Sequence, residues 1–537
     1  MFTRIKALFN HTSQTMYNAA FIIACCTMLG HLLAIVRDRA FAHTFGASTT
    51  LDIYFAAFRI PDILFTIGST LIGSAILLPH LTPYAKDEIK MRSIANDIFT
   101  VFAIGFLVIL IIVFISMPFL LKLLAKEFSA SEFQVLVNMS RFLLLSPFIL
   151  GISNLFSTIT QSLQKFFVSS LAPVVYNVGI IVGVLVLYPI VGIYGLALGV
   201  LIGALFHIGI QLPTLVISKS LPRFHGVKDW ALLKKIALTA LPRTFTLSTN
   251  KIELFLLTAL GVFIAEGSVS VFNLTWNLQN APLSLIGASI GLAVYPLMIR
   301  AYADKDIESF DNHLSKALQS AFFWTIPIAG AIVMLSEPIV RLILGTGAFQ
   351  GNAITVAAAA LATFIIGLPS QAAILIYVRA RYAKGDTWMP FWANLFASAV
   401  PVIVAYISLA SNIGDRLFGW LYKLLGIQNI TGHQVIVLTA SYAVGNIIGH
   451  ALLWYIEGKK INSLPYRNRN IISVIAGTLA MMAVMHIVKT SMQVHYLSVL
   501  VIQCVAGGAV LLSILHALKN EELQYLTNRT RKYLQKL

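Results

Sequence analysis

Charged and amide side chains interrupt several of the long apolar segments of this 537-residue chain. An ionised group within a hydrocarbon layer costs at least about 2.5–3.5 kcal/mol, so a residue that keeps one is expected to face a partner or a water-filled cavity. A pair of opposite charges would lock two helices together, whereas several cations around one cavity would bind an anionic group. The candidates for such a binding site are Arg37, Asp52, Arg59, Asp62, Arg243, Asn250, Lys251, Glu253 and Asn277.

The spacing of these residues indicates which of them share a helix face. Arg59 and Asp62 are three residues apart, which lets them pair along one face of a helix, and a structural ion pair and a substrate contact are equally open interpretations. Arg243 and Lys251 share a face of a later segment, whereas Glu253 lies about 160° from Lys251 on a straight helix. Lys251 therefore has no evident acid on its own face, which favours a position facing a cavity.

Metal binding and catalysis have little support in the sequence. The histidines within or near apolar segments lack a second ligand four residues away, which argues against a metal site. No Gly-x-Ser-x-Gly, HExxH or Walker motif occurs either. We therefore predict that the protein is not an enzyme, has no cofactor, and is driven by the membrane potential or by the gradient of an unidentified ion. Proton coupling through His31 stays open.

The composition predicts an all-α polytopic membrane protein. Hydrophobic residues make up 58% of the chain and charged residues 11%, against roughly 25% charged residues in a soluble domain. A run of about 20 apolar residues crosses the hydrocarbon core as a helix. About fourteen spans are predicted, at residues 15–36, 53–80, 97–121, 137–162, 166–189, 191–218, 232–263, 268–298, 314–335, 353–377, 388–411, 434–456, 470–488 and 494–518.

Two halves of the sequence resemble each other. Pro173 and Asn177 recur as Pro390 and Asn394, and further motifs recur in the same order. We interpret spans 1–6 and 7–12 as two copies, and because six is even, both copies enter the membrane from the same side, with the pseudo-twofold axis along the membrane normal. The predicted domains are an N-terminal six-helix lobe, a C-terminal six-helix lobe, and two additional helices with a basic tail, at residues 1–219, 220–460 and 461–537.

The basic residues indicate the orientation of the chain in the membrane. The formal net charge of +17 would suggest nucleic acid as a partner if the chain were soluble. Most of the 38 Lys and Arg instead lie at the N-terminus, in alternate loops and in the C-terminal tail, which places both termini in the cytoplasm. These residues are expected to contact anionic lipids and not nucleic acid. Segment 412–433 is predicted to be an interfacial amphipathic helix or a simple connector, and the tail from Lys519 a short surface helix.

One stretch of the chain resembles a known family. This stretch contains three motifs in order, which are Arg37-Asp38, Phe45-Gly46-Ala47 and Asp52-Ile-Tyr-Phe-Ala-Ala-Phe-Arg59-Ile-Pro61. Together they resemble the start of the MurJ/MviN family of lipid II flippases. Leu241-Pro-Arg243-Thr, Gly267-Ser-Val-Ser and the segment 335–349 also match. The resemblance covers about residues 15–520.

This resemblance implies a V-shaped fold of two lobes around a central cavity, in the bacterial cytoplasmic membrane. It implies alternating access that moves a polyprenyl-pyrophosphate-linked peptidoglycan precursor outward, with spans 13 and 14 forming a groove for the polyprenyl tail. Cationic residues of the cavity would bind the pyrophosphate, because charge-assisted bonds offset its desolvation. We expect membrane lipids as further partners and a monomer.

The sequence departs from the family pattern at several cavity positions. The span 1 arginine and the span 2 acid are kept as Arg37 and Asp52. Uncharged residues or histidine occupy the other expected positions, which are His31, Phe65, Thr66, Thr70, Trp276 and Asn277. Either Arg59, Arg243 and Lys251 rebuild a cationic cavity or the substrate differs. We predict a lipid II flippase; the alternatives are a flippase for another polyprenyl-linked glycan, a multidrug exporter of the same fold, and a scaffold that does not transport.

Overall fold

The computed structural model describes residues 16–84, 87–124, 128–411, 413–458, 469–491 and 496–534. Over these residues the chain is helical and contains no β-strand. Backbone N–H and C=O groups in a lipid layer must be satisfied within the protein, and a helix does this within one segment. The predicted all-α membrane class is confirmed.

The first helices form a series of long and broken elements. They are α1 Met16–Phe45, α2 Thr49–Ala57, α3 Arg59–Leu71, α4 Ser74–Leu81, α5 Glu88–Leu120, α6 Ala130–Leu143, α7 Leu145–Ser162, α8 Phe166–Val182, α9 Tyr188–Val191, α10 Tyr194–Gly209, α11 Leu212–Ile217 and α12 Trp230–Val262. Short 3-10 turns occur at Thr82–Tyr84 and Lys122–Leu124, and a π-helical segment, Gly183–Leu187, joins α8 to α9.

The later helices also form a series of long and broken elements. They are α13 Ser268–Pro282, α14 Ser289–Ala303, α15 Ile307–Ile343, α16 Asn352–Ile365, α17 Leu368–Ala383, α18 Trp388–Ala410, α19 Ile413–Leu424, α20 Val435–Gly458, α21 Arg469–Ser491, α22 Tyr496–Ala517 and α23 Glu521–Leu534. A π-helical segment, Leu283–Ala288, joins α13 to α14. The helices predicted within 412–433 and beyond Lys519 are present as α19 and α23.

Acidic residues begin three of the long helices outside their apolar runs. The side chain of Asp87 accepts a hydrogen bond from Lys90 N at 3.0 Å, and Asp229 accepts one from Leu232 N at 2.8 Å. Asp306 begins α15 in the same way. These bonds satisfy backbone donors that the first helical turn leaves without partners.

The predicted count of fourteen spans is not confirmed within the described residues. Eleven helical segments are long and apolar enough to cross a membrane, and a twelfth is counted if the pair α16 and α17, bent by 42°, forms one span. The span predicted at 232–263 falls on α12, which is not among them, whereas the span predicted at 15–36 begins outside the described residues. On α12 the reason is physical, because Lys251, Glu253 and several Thr residues reduce its mean hydropathy.

The described chain divides into two compact units. The first comprises Met1–Ser270 with Thr346–Phe349, and the second comprises Val271–Gly345 with Gln350–Leu537. Helix α12, predicted to open the C-terminal lobe, therefore belongs by its packing to the first unit, where it lies against α3. The lobe boundary at residue 219 and the parallel repeat remain predictions, since compact units are defined by contact and not by ancestry.

Close helix packing in the first unit depends on glycine. Helices α8 and α10 cross at Gly179 and Gly203, where a Cβ on Gly179 would overlap the backbone of Gly203. Small residues at such crossings let helix backbones approach in lipid, where packing and not the hydrophobic effect associates helices.

In the second unit a fully buried acid joins α17 to α20. Glu457 has no exposed side-chain surface, and its carboxylate pairs with Arg381 and with Lys384 Nζ at 3.0 Å. The Lys384 ammonium also lies 4.7 Å from the centre of the Phe310 ring on α15. Buried charges are tolerated when they are paired in this way.

Replacing Glu457 by Ala is expected to destabilise the second unit strongly, because Arg381 and Lys384 would lose their buried acid. Removing one member of a buried pair costs about 3–5 kcal/mol, whereas an exposed pair contributes about 0–1 kcal/mol. The matched control is Glu337→Ala, which removes the half-exposed partner of Arg341. The two variants are compared by the fraction of each protein that stays monodisperse on heating. Equal losses would contradict this role of Glu457.

Candidate functional site

An ion pair between α3 and α12 lies at the centre of the candidate residues of the first unit. Lys251 Nζ lies 3.2 Å from Asp62 Oδ2, and the two side chains are 34% and 33% exposed. The pairing of Asp62 with Arg59 along α3 stays a prediction, and the ion pair of Asp62 with Lys251 is formed across helices. The prediction that Lys251 has no acid on its own face is compatible with this, since its partner comes from another helix.

A second polar bond joins the same two helices. The buried Arg59 donates from Nε to Thr258 Oγ1 at 2.6 Å, and the hydroxyl of Thr258 donates to Leu254 O. Lys251 and Thr258 are seven residues apart, so they share one face of α12. Helices α3 and α12 therefore run antiparallel here, with Arg59 opposite Thr258 and Asp62 opposite Lys251.

At the end of α1, Arg37 is held by two acceptors. Its Nε and Nη2 donate to Asp38 Oδ1 at 2.9 and 2.8 Å, and its Nη1 donates to Asn177 Oδ1 at 3.0 Å. Asn177 in turn donates from Nδ2 to Pro173 O at 3.1 Å. The proline and asparagine that recur in the second half of the sequence thus have a structural role in the first, which is to orient the Arg37 guanidinium.

Asp52 holds the start of α13. Its Oδ2 accepts from Gly267 N at 2.7 Å, and its Oδ1 accepts from Ser270 N at 2.7 Å and from Ser270 Oγ at 2.5 Å. Gly267 has a positive φ of 81°, which glycine adopts without strain. The Gly267-Ser-Val-Ser motif was the available sequence signal for this contact, although spacing alone does not show that Asp52 is its partner.

Two further hydrogen bonds join segments of the first unit that are far apart in the sequence. The backbone N–H of Thr49 donates to Glu266 Oε1 at 3.1 Å. This bond, with a second from the Thr49 side chain, lowers the pKa of Glu266. Nearby, Ala348 N donates to His43 O at 3.0 Å, so the segment Thr346–Phe349 packs on the end of α1.

The remaining candidates have different surroundings. Arg243 is half-buried on α12, with no hydrogen-bond or ion-pair partner among the described residues. Asn250 is exposed beside Lys251, whereas Glu253 is 7% exposed and buried elsewhere on the same helix. Asn277 is half-buried on α13 in the second unit. The structure thus brings Arg59, Asp62 and Lys251 together.

A cavity of about 330 Å³ opens beside Asp62 within the first unit. Its lining residues are Phe58, Pro61, Asp62, Phe65, Ser146, Pro147, Leu150, Asn154, Pro173, Tyr176 and His207. Phe65 occupies a position where the family resemblance implies arginine, so this wall is aromatic. The hydroxyls of Thr66 and Thr70 donate to backbone carbonyls of their own helix. Lys251 of α12 places one positive charge next to this cavity through its ion pair with Asp62.

The second unit contains an apolar groove of about 350 Å³ between α15, α21, α22 and α23. Helices α21 and α22 are the predicted spans 13 and 14. The residues that line the groove are Phe323, Trp324, Pro327, Ile328, Ala331, Met481, Met485, Cys504, Gly508, Leu511, Leu512, Leu515, Leu523 and Leu526. Such a lining suits a hydrocarbon chain.

Asp52→Ala is expected to destabilise the first unit, because two backbone N–H groups would lose a buried acceptor. Each unsatisfied buried group costs about 1–3 kcal/mol. Asp52→Asn keeps one acceptor oxygen and should have an intermediate effect. The control is Asp87→Ala, which removes an exposed helix cap and should cost about 1 kcal/mol. Heating curves of the purified variants test this order, and a larger loss in the control would contradict it.

Comparisons with known proteins agree with this architecture. The family described as "Lipid II flippase MurJ" matches residues 41–507. A lipid II flippase MurJ of Burkholderia cenocepacia is 26% identical over 390 residues, which cover 70% of this chain and 75% of that protein. A probable lipid II flippase MurJ of Vibrio cholerae is 26% identical over 473 residues, covering 83% of this chain and 90% of that protein.

Solved structures show the same fold. A lipid II flippase MurJ in an inward closed conformation has a TM-score of 0.73 at 22% identity, covering 92% of this chain and 98% of that one. An inward-facing multidrug resistance MATE family transporter of the MOP superfamily has a TM-score of 0.64 at 16% identity, covering 86% and 99%. Because the family match extends over most of its length, the chain belongs to the lipid II flippase MurJ family.

Proposed function

We propose that this member of the lipid II flippase family binds the pyrophosphate of its substrate through Lys251, with Arg37 nearby in the first unit, and the polyprenyl tail in the apolar groove of the second unit. The function of a lipid II flippase follows from the family. The binding mode rests on one observation, the partly exposed ion pair between Lys251 and Asp62 beside a cavity.

The exposure of this ion pair lets an anion compete for Lys251. An ion pair that water reaches contributes only about 0–1 kcal/mol, so the ammonium can leave Asp62 for a stronger acceptor. A pyrophosphate carries more charge than a carboxylate and forms strong charge-assisted bonds. In this mechanism Lys251 binds Asp62 in the empty protein and the pyrophosphate in the loaded protein.

This exchange connects substrate binding to helix packing. When Lys251 leaves Asp62, the contact between α3 and α12 loses its ion pair, whereas the buried bond from Arg59 to Thr258 is kept. A ligand that changes the relative stability of two arrangements shifts their populations. We infer that the loaded protein reaches a different arrangement of α3 and α12, as alternating access requires.

The remaining features of the proposal are supported by the sequence alone. The energy source is the membrane potential or an ion gradient, both termini face the cytoplasm, and the protein acts as a monomer without a resident cofactor. Membrane lipids surround it, and its substrate is the peptidoglycan precursor. The aromatic wall at Phe65 is the observation that favours the alternative of another polyprenyl-linked glycan, because less positive charge faces the cavity there.

Lys251→Ala and Arg37→Ala are each expected to abolish growth of cells depleted of their own lipid II flippase, because each removes a cation next to the pyrophosphate. The control Lys316→Ala, at an exposed position of α15, should support growth. Immunoblots of the membrane fraction check that each variant is folded and present. Full growth with the Lys251 variant would contradict the proposed binding mode.

Asp62→Asn separates binding from transport. Without the competing carboxylate, the protein should retain more lipid II in native mass spectrometry, by several-fold, yet support less growth because the exchange is lost. Lys251→Ala should lower lipid II retention in the same measurement. Equal retention by both variants would contradict an exchange of partners at Lys251.

Gly508→Phe tests the apolar groove. A Cβ at Gly508 meets no atom within 4 Å, so the new ring would enter the groove without a backbone clash and compete with a prenyl chain. We expect loss of complementation with normal protein levels. Gly105→Phe is the control, since Gly105 is equally open but lies on the exposed face of α5. Loss of function in both variants would remove the support for a prenyl groove.

A further inference from the structure

A proline in α5 leaves one backbone carbonyl without its helical partner. The carbonyl of Phe114 would normally accept from the N–H four residues later, but that residue is Pro118, which has no N–H. Arg141 of α6 supplies the missing donor, with Nε 3.1 Å from Phe114 O. Its guanidinium also lies 4.8 Å from the centre of the Phe114 ring.

Within the described part of the chain, the charge of Arg141 has no carboxylate as a counter-ion. Both of its contacts within the described residues are made with Phe114, and neither involves a carboxylate. The two terminal nitrogens of the guanidinium, with four N–H groups, have no acceptor among the described residues. Two other arginines differ, since Arg37 pairs with Asp38 and Arg341 pairs with Glu337.

An apolar groove adjoins this guanidinium. It has a volume of about 550 Å³ and is formed by α5, α6, α7 and the start of α10. Leu107, Ile111 and Leu145 line it and are 49%, 53% and 52% exposed. Asn138, Arg141 and Tyr194 place polar groups at its wall. The groove is therefore apolar along its length and positively charged at one place.

The position along α5 puts this charge near a membrane surface. Phe114 lies six residues before the end of α5 at Leu120, which corresponds to about 9 Å along the helix axis. Because the predicted span ends at residue 121, the phosphate layer of the leaflet lies just beyond this level, outside a core about 30 Å thick. A long arginine side chain reaches such a layer readily.

We propose that this groove binds an anionic phospholipid, with the lipid phosphate on the Arg141 guanidinium and one acyl chain along Leu107, Ile111 and Leu145. Charge complementarity selects the headgroup, because the site supplies one cation and four N–H donors for which the described residues offer no acceptor. The groove volume lies within the range of small-molecule sites. This site is separate from the cavity beside Asp62 and from the groove of the second unit, and it does not depend on the proposed transport mechanism.

The test measures which lipids remain bound to the purified full-length protein. The protein is exchanged into mixed micelles with equal amounts of phosphatidylglycerol and phosphatidylcholine, and bound lipids are counted by native mass spectrometry. The wild-type protein should retain phosphatidylglycerol several-fold over phosphatidylcholine. Arg141→Gln should bring this ratio close to one, while its amide N–H still serves the Phe114 carbonyl and so preserves the fold.

Two further variants separate the charge from the groove. Leu145→Trp fills the groove and should reduce retention of both lipids at this site, although Arg141 is unchanged. Arg341→Gln is the matched control, because Arg341 already has Glu337 as its partner, and it should keep the wild-type ratio.

Three outcomes would overturn the proposal. They are a wild-type protein without preference for phosphatidylglycerol, an unchanged ratio in Arg141→Gln, and displacement of the bound lipid by millimolar inorganic phosphate. The last outcome would show a free anion site to which the apolar groove contributes nothing.

Discussion

The contact of α3 with α12 places two basic side chains and one acid in mainly apolar surroundings, and the candidate site depends on how these three are satisfied. Arg59 is buried and bonded to Thr258, whereas Lys251 and Asp62 are paired but reached by solvent. The first bond is costly to break, because it would leave a buried guanidinium without its acceptor. The second is easily exchanged. One helix pair thus combines a permanent and a replaceable polar contact.

The same division between fixed and replaceable charges extends through the chain. Asp52 and Glu457 are almost or completely buried, and each accepts or pairs with more than one group, so their role is to hold helices in place. Lys251 and Arg243 are partly accessible and can meet a ligand. A charge in hydrocarbon is kept only where it has such a partner or function. Burial, and not residue type, separates the two classes here.

Much of the fold could be predicted from the sequence, because span length and apolar composition are local properties. Eleven of the predicted spans correspond to apolar helical segments, and the bent pair α16 and α17 accounts for another. Among the described residues, hydropathy does not identify α12 as a span, because its polar residues lower the mean hydropathy. The charges and threonines of α12 make it the least apolar of the long helices around the site. The mean hydropathy of a sequence window cannot distinguish a helix that lines a cavity from a helix on the protein surface.

The pairing of site residues could be predicted only in part. The spacing of Arg59 and Asp62 suggested a bond along one helix. The structure adds an ion pair between Asp62 and Lys251 of α12, which the sequence did not indicate. The role of Asp52 as a cap of α13 was equally hidden, since its partners lie more than 200 residues away. Single sequences contain the residue types of such contacts but not the register of the helices that make them.

The distance along the chain between Asp62 and Lys251, 189 residues, also has a consequence for biosynthesis. At a synthesis rate of about 5–20 residues per second, α12 is synthesised roughly 10 to 40 s after α3, and only then can Lys251 pair with Asp62. During that time its acid needs water, lipid headgroups or an insertion factor as a temporary environment. The order of synthesis therefore requires a late packing step, in which the contact between α3 and α12 forms only after α12 has left the ribosome.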